Sequence, residues 1–134
     1  MIPSTNTALT TELKVVTLPS KQHKLVLDAD RILGVCDGLE AVKQSVYKVL
    51  NTERYAYVIY SWDYGIELKN LYGKSPMYAC PEIERMVKEA LSQDDRITSI
   101  DDFEFDISKK GVVSVSFTVR TIFGDLNEEM VVNI

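Results

Sequence analysis

The residues of this chain whose types could do chemistry are mostly carboxylates. Asp28 with Asp30, Asp94 with Asp95, and Asp101 with Asp102 form three acidic doublets. Two carboxyl groups about 5 to 9 Å apart across a cleft can hydrolyse a glycosidic bond, one as acid and the other as nucleophile or base. Such a pair remains open here, for example Glu53 with Asp63. The ordinary work of acidic doublets at element ends is to cap helices and solvate turns, and that reading takes precedence. No calcium-loop register of alternating ligands followed by Glu occurs. His23 is the single histidine and lies in a polar stretch, so a Ser/His/Asp or Cys/His arrangement would have to form around it. Cys36 and Cys80 show neither Cys-x-x-Cys nor Cys/His spacing, which removes a zinc site and favours free thiols. Neither phosphate-cradling glycine motif is present. We therefore expect no catalytic residues, no metal and no cofactor.

Binding is the remaining task for the reactive side chains. Glu53 and Arg54 fall at a helix-to-strand junction, where the choice is between an internal ion pair and a partner contact. In Asp94-Asp95-Arg96, Asp94 can end a helix while Arg96 satisfies its last carbonyls. Arg is also the side chain best suited to bidentate pairing across an interface. The row Tyr55, Tyr57, Tyr60, Trp62 and Tyr64 reads as core plus rim, and tyrosine rims serve interfaces well.

The elements that must position these residues read as an α+β fold, two helices packed on a mixed or antiparallel sheet ending in a C-terminal β-meander. Residues 1–23 are polar and form an extended arm, leaving 24–134 as a single domain. Residues 24–28 make a short strand. Asp37 caps a first helix, with Glu40 completing a capping box, and Leu39, Val42, Val46, Val49 and Leu50 give it one apolar face ending near Asn51. Residues 54–62, aromatic and β-branched, predict a strand covered on both faces. Residues 63–74 form a loop or helical turn. Pro81 then suits the first turn of a second helix with Ile83, Met86, Val87, Ala90 and Leu91 inward. Period-two alternation from Ile97 to Ile107, a turn at 108–111, alternation from Val112 to Val119, a turn at 124–127 and a strand at 130–134 complete the meander.

Bulk properties narrow the class of partner. The 134 residues suffice for one core, and the net charge of −5 opposes binding to nucleic acid. No apolar run reaches the length of a bilayer span, and the N-terminus has no secretion signal, so we expect no membrane role and a cytoplasmic protein.

Residues 38–44, 50–55 and 64–68, in that order and spacing, resemble the small baseplate wedge proteins of contractile-tail phages, in particular their PBSX-like defective-prophage branch. The likeness continues through 89–91, Arg96-Ile97 and the hairpin from Phe103 to Val119, covering roughly 24–132. In a related wedge component of bacterial secretion systems, a Glu-Pro-Arg triplet after the second helix grips a helical bundle. Asp94-Asp95-Arg96 stands in the matching place, keeping the Arg and one acid and losing the Pro. The resemblance implies a structural part of a ring-shaped baseplate, contacting larger wedge subunits and offering sheet edges to the tail sheath protein. It implies assembly in the bacterial host and residence in the tail, with a monomer in isolation. Relatives labelled lysozyme-like keep a small muramidase as the enzymatic alternative, and a soluble adaptor is a third reading.

Overall fold

The computed structural model describes residues 20–134. The expected arm therefore lies almost wholly outside the described residues, although Gln22 and His23 are already in the first strand. Strands β1 (Gln22–Val26) and β2 (Arg31–Cys36) form an antiparallel hairpin around a 3-10 turn at Leu27–Ala29. Helix α1 (Gly38–Leu50) follows, then a long irregular segment with a 3-10 turn at Leu68–Leu71, then helix α2 (Pro76–Leu91). Strands β3 (Ile97–Asp106), β4 (Val112–Thr121) and β5 (Gly124–Asn133) close the chain as a three-stranded antiparallel meander. The α+β class with two helices and a C-terminal meander stands, with the strands divided between two separate antiparallel sheets.

Helix α1 forms where its pattern places it. Asp37 is extended and accepts from the Gly38 N–H at 2.7 Å, and Ala41, Val42, Val46 and Leu50 are buried. Neither half of the expected capping box forms: Asp37 takes the Gly38 N–H instead of that of Glu40, and the Glu40 carboxylate pairs with Lys24 at 2.6 Å. The hairpin sits on α1 through amides: Gln44 accepts from the Leu25 N–H at 2.8 Å and donates to the His23 carbonyl at 2.7 Å. Gln22 adds a short bond to the Ala41 carbonyl.

Helix α2 begins five residues before Pro81, at Pro76, which takes the first helical position where its missing N–H is harmless. Pro81 lies inside the helix. The carbonyl it leaves unpaired belongs to Met77, an exposed residue in the first turn that water can reach. The inward stripe of Ile83, Met86, Val87, Ala90 and Leu91 is buried as expected. It packs with Val42, Val46 and Leu50 over Val113, Val115, Phe117 and Val119 of the central strand β4.

The covered strand expected at 54–62 does not form. Tyr55 has φ 65°, which breaks an extended run, and Glu53 makes a single isolated bridge to Ile66. Val58, Ile59 and Trp62 are 103%, 85% and 81% exposed. Strand propensity measures fit to a pleated, half-buried surface, and no strand is available beside this segment to supply one.

The meander also departs from strict alternation. Register slips between Ile97 and Ser99 and between Asp101 and Glu104, with Asp102 at φ 57°. These bulges bring Ile100, Phe103 and Phe105 onto one face despite their uneven spacing, and Phe103 stacks on Phe117 at 5.3 Å. The second turn is earlier and shorter than expected. Thr121 pairs with Gly124, and its hydroxyl accepts from Phe123 N–H at 3.1 Å and donates to Gly124 O at 2.7 Å. Strand β5 thus starts at Gly124, and residues 124–127 belong to it.

A candidate partner-binding cleft around Arg96

The chain leaves α2 at Leu91 and enters β3 at Ile97, and the intervening turn carries all three charged residues of the predicted triplet. Asp94 and Arg96 grip each other. The guanidinium donates from Nε to Oδ1 at 2.8 Å and from Nη2 to Oδ2 at 2.6 Å, while the Arg96 backbone N–H donates to Oδ1 at 3.0 Å. Bidentate pairing of this kind is the strong form of the ion pair. Nη2 also donates to the Ser45 hydroxyl of α1 at 3.1 Å, and the Arg96 carbonyl accepts from Ile122 N–H in the β4–β5 turn at 3.0 Å. One arginine therefore joins α1, the end of α2 and the meander. It does not bond the α2 carbonyls, the role considered from sequence, because Asp94 is nearer and charged. The Arg96 hydrogen bonds hold the Asp94 carboxyl below the usual carboxylate range. Both side chains remain 22% exposed. Among the described residues, Nη1 has no hydrogen-bond partner. Asp95 is exposed and adds negative charge beside the guanidinium.

These residues line an open cleft of about 1040 Å³. Ser45 and Val49 of α1, Asp63 and Tyr64 of the irregular segment, and Phe123 of the β4–β5 turn line it with them. Tyr64 is fixed by stacking on Tyr60 at 4.5 Å, and burial pushes its hydroxyl pKa upward.

Glu53 and Arg54 stand behind this lining. Arg54 donates from Nη1 to Glu89 of α2 at 2.8 Å and from Nε to the Gly65 carbonyl at 3.3 Å, and its side chain is 8% exposed. Glu53 accepts from the Lys69 N–H at 3.4 Å. Both pin the base of the segment that carries Tyr64. Arg96, Asp94, Asp95 and Tyr64 thus meet in the cleft, while Glu53 and Arg54 hold its wall from outside.

The other acidic doublets do not line this cleft. Asp28 lies in the 3-10 turn and Asp30 ends it in the left-handed region, whereas Asp101 and Asp102 mark the β3 bulge and meet Arg120 at 3.1 and 3.8 Å. Both cysteines are free thiols. No group of metal-ligating residues and no helix long and apolar enough to cross a membrane occurs among the described residues.

Sequence reasoning missed a feature of the sheet border. Ile134 N–H donates to the Gly111 carbonyl at 3.0 Å, and the β4–β5 register then runs without a break from Val112↔Asn133 to Thr121↔Gly124. Antiparallel pairs alternate between bonded and non-bonded. Gly124, Leu126, Glu128, Met130 and Val132 are accordingly bonded to β4, and Asp125, Asn127, Glu129, Val131 and Asn133 aim their N–H and C=O groups off the free edge. Alternation alone reveals a strand, but only the register reveals which residues own the edge.

Comparison with known proteins agrees with this architecture. The family model for the contractile injection system sheath initiator matches residues 14–124. The phage-like element PBSX protein XkdS of Bacillus subtilis (strain 168) is 42% identical over 118 residues, covering 84% of this chain and 82% of the relative. A crystal structure from Geobacter sulfurreducens, of a protein described as a candidate tail lysozyme, superposes with a TM-score of 0.59 at 20% identity, over 71% of this chain and 89% of that one. That likeness concerns the fold alone. The family match spans most of the chain, and the chain belongs to the contractile injection system sheath initiators, structural components of the contractile-tail baseplate.

Proposed function

We propose that the chain is seated among the larger baseplate wedge subunits by the Arg96 cleft and starts the sheath by lending the free edge of β5 to a strand of the sheath protein. The observation that carries this reading is the contrast between the two borders of the meander. Strand β3 is interrupted twice by bulges, which bend a border away from further pairing, while β5 offers an unbroken ten-residue border. An unpaired edge recruits another chain's strand through main-chain hydrogen bonds. Glu128 points inward from this strand, half-buried, with Oε1 unbonded, a device that discourages indiscriminate pairing and leaves the edge to a matched partner.

At the cleft, Asp94 holds Arg96 rigid and leaves Nη1 for a carbonyl or carboxylate of a wedge subunit. Asp95 and Tyr64 flank it, and Glu53 with Arg54 keep the Tyr64 wall in place. Each contact is modest, and repetition around a ring makes the assembly stable. Assembly takes place in the bacterial cytoplasm, before the tail is complete.

No bond is made or broken in this mechanism. A glycosidase acid needs a raised pKa, and of the carboxylates lining the cleft Asp94 is committed to its arginine and shifted the opposite way. Glu128, whose pKa is raised by burial, lies under the sheet border away from those lining the cleft.

Two substitutions separate the two surfaces. Arg96→Ala removes the chain from purified tails. Val131→Pro deletes an N–H that points off the border, so the chain is retained while the sheath is short or missing in electron micrographs. Wild-type content with Arg96→Ala, or full-length sheaths with Val131→Pro, overturns the corresponding half of the reading.

A further inference from the structure

Between Arg54 and Asp63 lie eight consecutive uncharged residues, Tyr-Ala-Tyr-Val-Ile-Tyr-Ser-Trp, in a chain that is 26% charged. They form the tip of a closed loop. Its ends are joined by Ile66 N–H to Thr52 O at 2.9 Å and Arg54 N–H to Ile66 O at 3.2 Å, with Arg54 clamped to Glu89. Ends that meet and side chains that pack on one another define an Ω-loop. The packing here is aromatic: Tyr55 meets Trp62 edge-on at 6.0 Å, Tyr57 meets Tyr60 edge-on at 6.0 Å, and Tyr60 stacks on Tyr64 at 4.5 Å. These pairs hold the loop in shape while leaving Val58 and Ile59 outside the packing, almost fully exposed, and Trp62 largely exposed on its free face. A preorganised apolar projection loses little entropy on docking.

We infer that this loop is an anchor, with Val58 and Ile59 entering an uncharged, aliphatic recess of the same protein subunit that occupies the Arg96 cleft. The inference rests on the cleft reading and extends it along one continuous surface, since Ser61, Asp63 and Tyr64 belong to both the loop and the cleft wall. Charge complementarity selects the occupant. An ion-free tip requires an ion-free floor, with hydrogen-bond acceptors at the rim for the exposed hydroxyls of Tyr55 and Tyr57. An anionic bilayer is a poor match, because Glu53 and Asp63 flank the tip, the chain carries −5, and the only cation at the loop, Arg54, is buried and paired. A second copy of this chain is also a poor match, because the large recess it offers, the Arg96 cleft, is walled by Asp63, Asp94 and Asp95.

The test uses the full-length chain, expressed in the producing bacterium in place of the wild-type gene. Val58→Ser with Ile59→Ser leaves far-UV circular dichroism and the Tm of the purified chain unchanged, since neither side chain contacts the core. It lowers the amount of chain per purified tail about tenfold, as truncation of interface anchors does. A photo-crosslinking residue at position 58 captures, within tails, the same subunit as one at position 95. Wild-type incorporation of the double variant overturns the anchor. So does cross-linking of position 58 to a second copy, or a blue shift of Trp62 fluorescence on phosphatidylglycerol vesicles that the double variant loses. Loss of incorporation with Arg96→Ala but not with the double variant refutes the anchor and leaves the cleft standing. Wild-type incorporation of both refutes the cleft as well.

Discussion

Gly65→Ala is the substitution that most directly tests how the aromatic loop is held. Gly65 has φ +98°, and a Cβ built there would lie 2.6 Å from the Thr52 carbonyl oxygen and 3.0 Å from the Arg54 nitrogen. Both are backbone atoms, so no side chain can swing aside. Forcing an L residue into such a conformation costs about 1–3 kcal/mol. Moving the Thr52 carbonyl away also weakens the two hydrogen bonds that close the loop, at about 1 kcal/mol each. The lower entropy of Ala in the unfolded chain returns roughly 0.5 kcal/mol. The net expectation is a loss of about 3 kcal/mol, or a fall in Tm of about 10 °C for a domain of this size. Trp62, the single tryptophan, lies within the loop, so its fluorescence during urea unfolding reports the loop, and far-UV circular dichroism reports the helices. The Trp62 transition should move to lower urea at least as far as the helix transition. A variant within about 0.5 kcal/mol of wild type by both probes would refute the tight closure, because no relaxed Ala conformation fits between fixed backbone atoms.

Two further expectations concern pH. Arg96 depresses the Asp94 pKa, so the stability from this pair is present above the unfolded carboxylate range and is lost as pH falls through the folded value. Asp94→Asn therefore costs about 2 kcal/mol in urea melts at pH 7, with the gap narrowing in acid; a gap that widens in acid would contradict the assignment. Burial raises the Glu128 pKa, so its ionised form opposes folding at neutral pH and the penalty fades as pH falls through the folded value. Glu128→Gln is accordingly more stable than wild type at pH 7, and its advantage shrinks from there into the acid range. Equal melting curves across that range would show that the carboxylate is not desolvated.

Much of the fold could be read directly from local pattern. The apolar stripes of α1 and α2, the Asp37 cap and the two-residue period of β4 each follow from interactions within a few positions, so the chain's own order reveals them. The charged triplet Asp94-Asp95-Arg96 stands out after the second helix, but the pairing within it does not follow from the sequence, which leaves Arg96 free to take the last helical carbonyls until the nearer Asp94 carboxylate claims it. That this pair faces an open cleft with Ser45 and Tyr64 was not legible, since those contacts join positions far apart in the chain.

The sequence by itself determined the class, the number of helices, the final meander and the lack of catalytic motifs. Tertiary structure decided the fate of residues 54–62: their composition suits a buried strand, but strand formation requires a neighbouring strand, and the meander is complete without them. It also decided the start of α2, the parity of β3 and the owner of the free edge. A bulge or a two-residue turn shifts register by one position, and one position exchanges inward for outward along the rest of the strand.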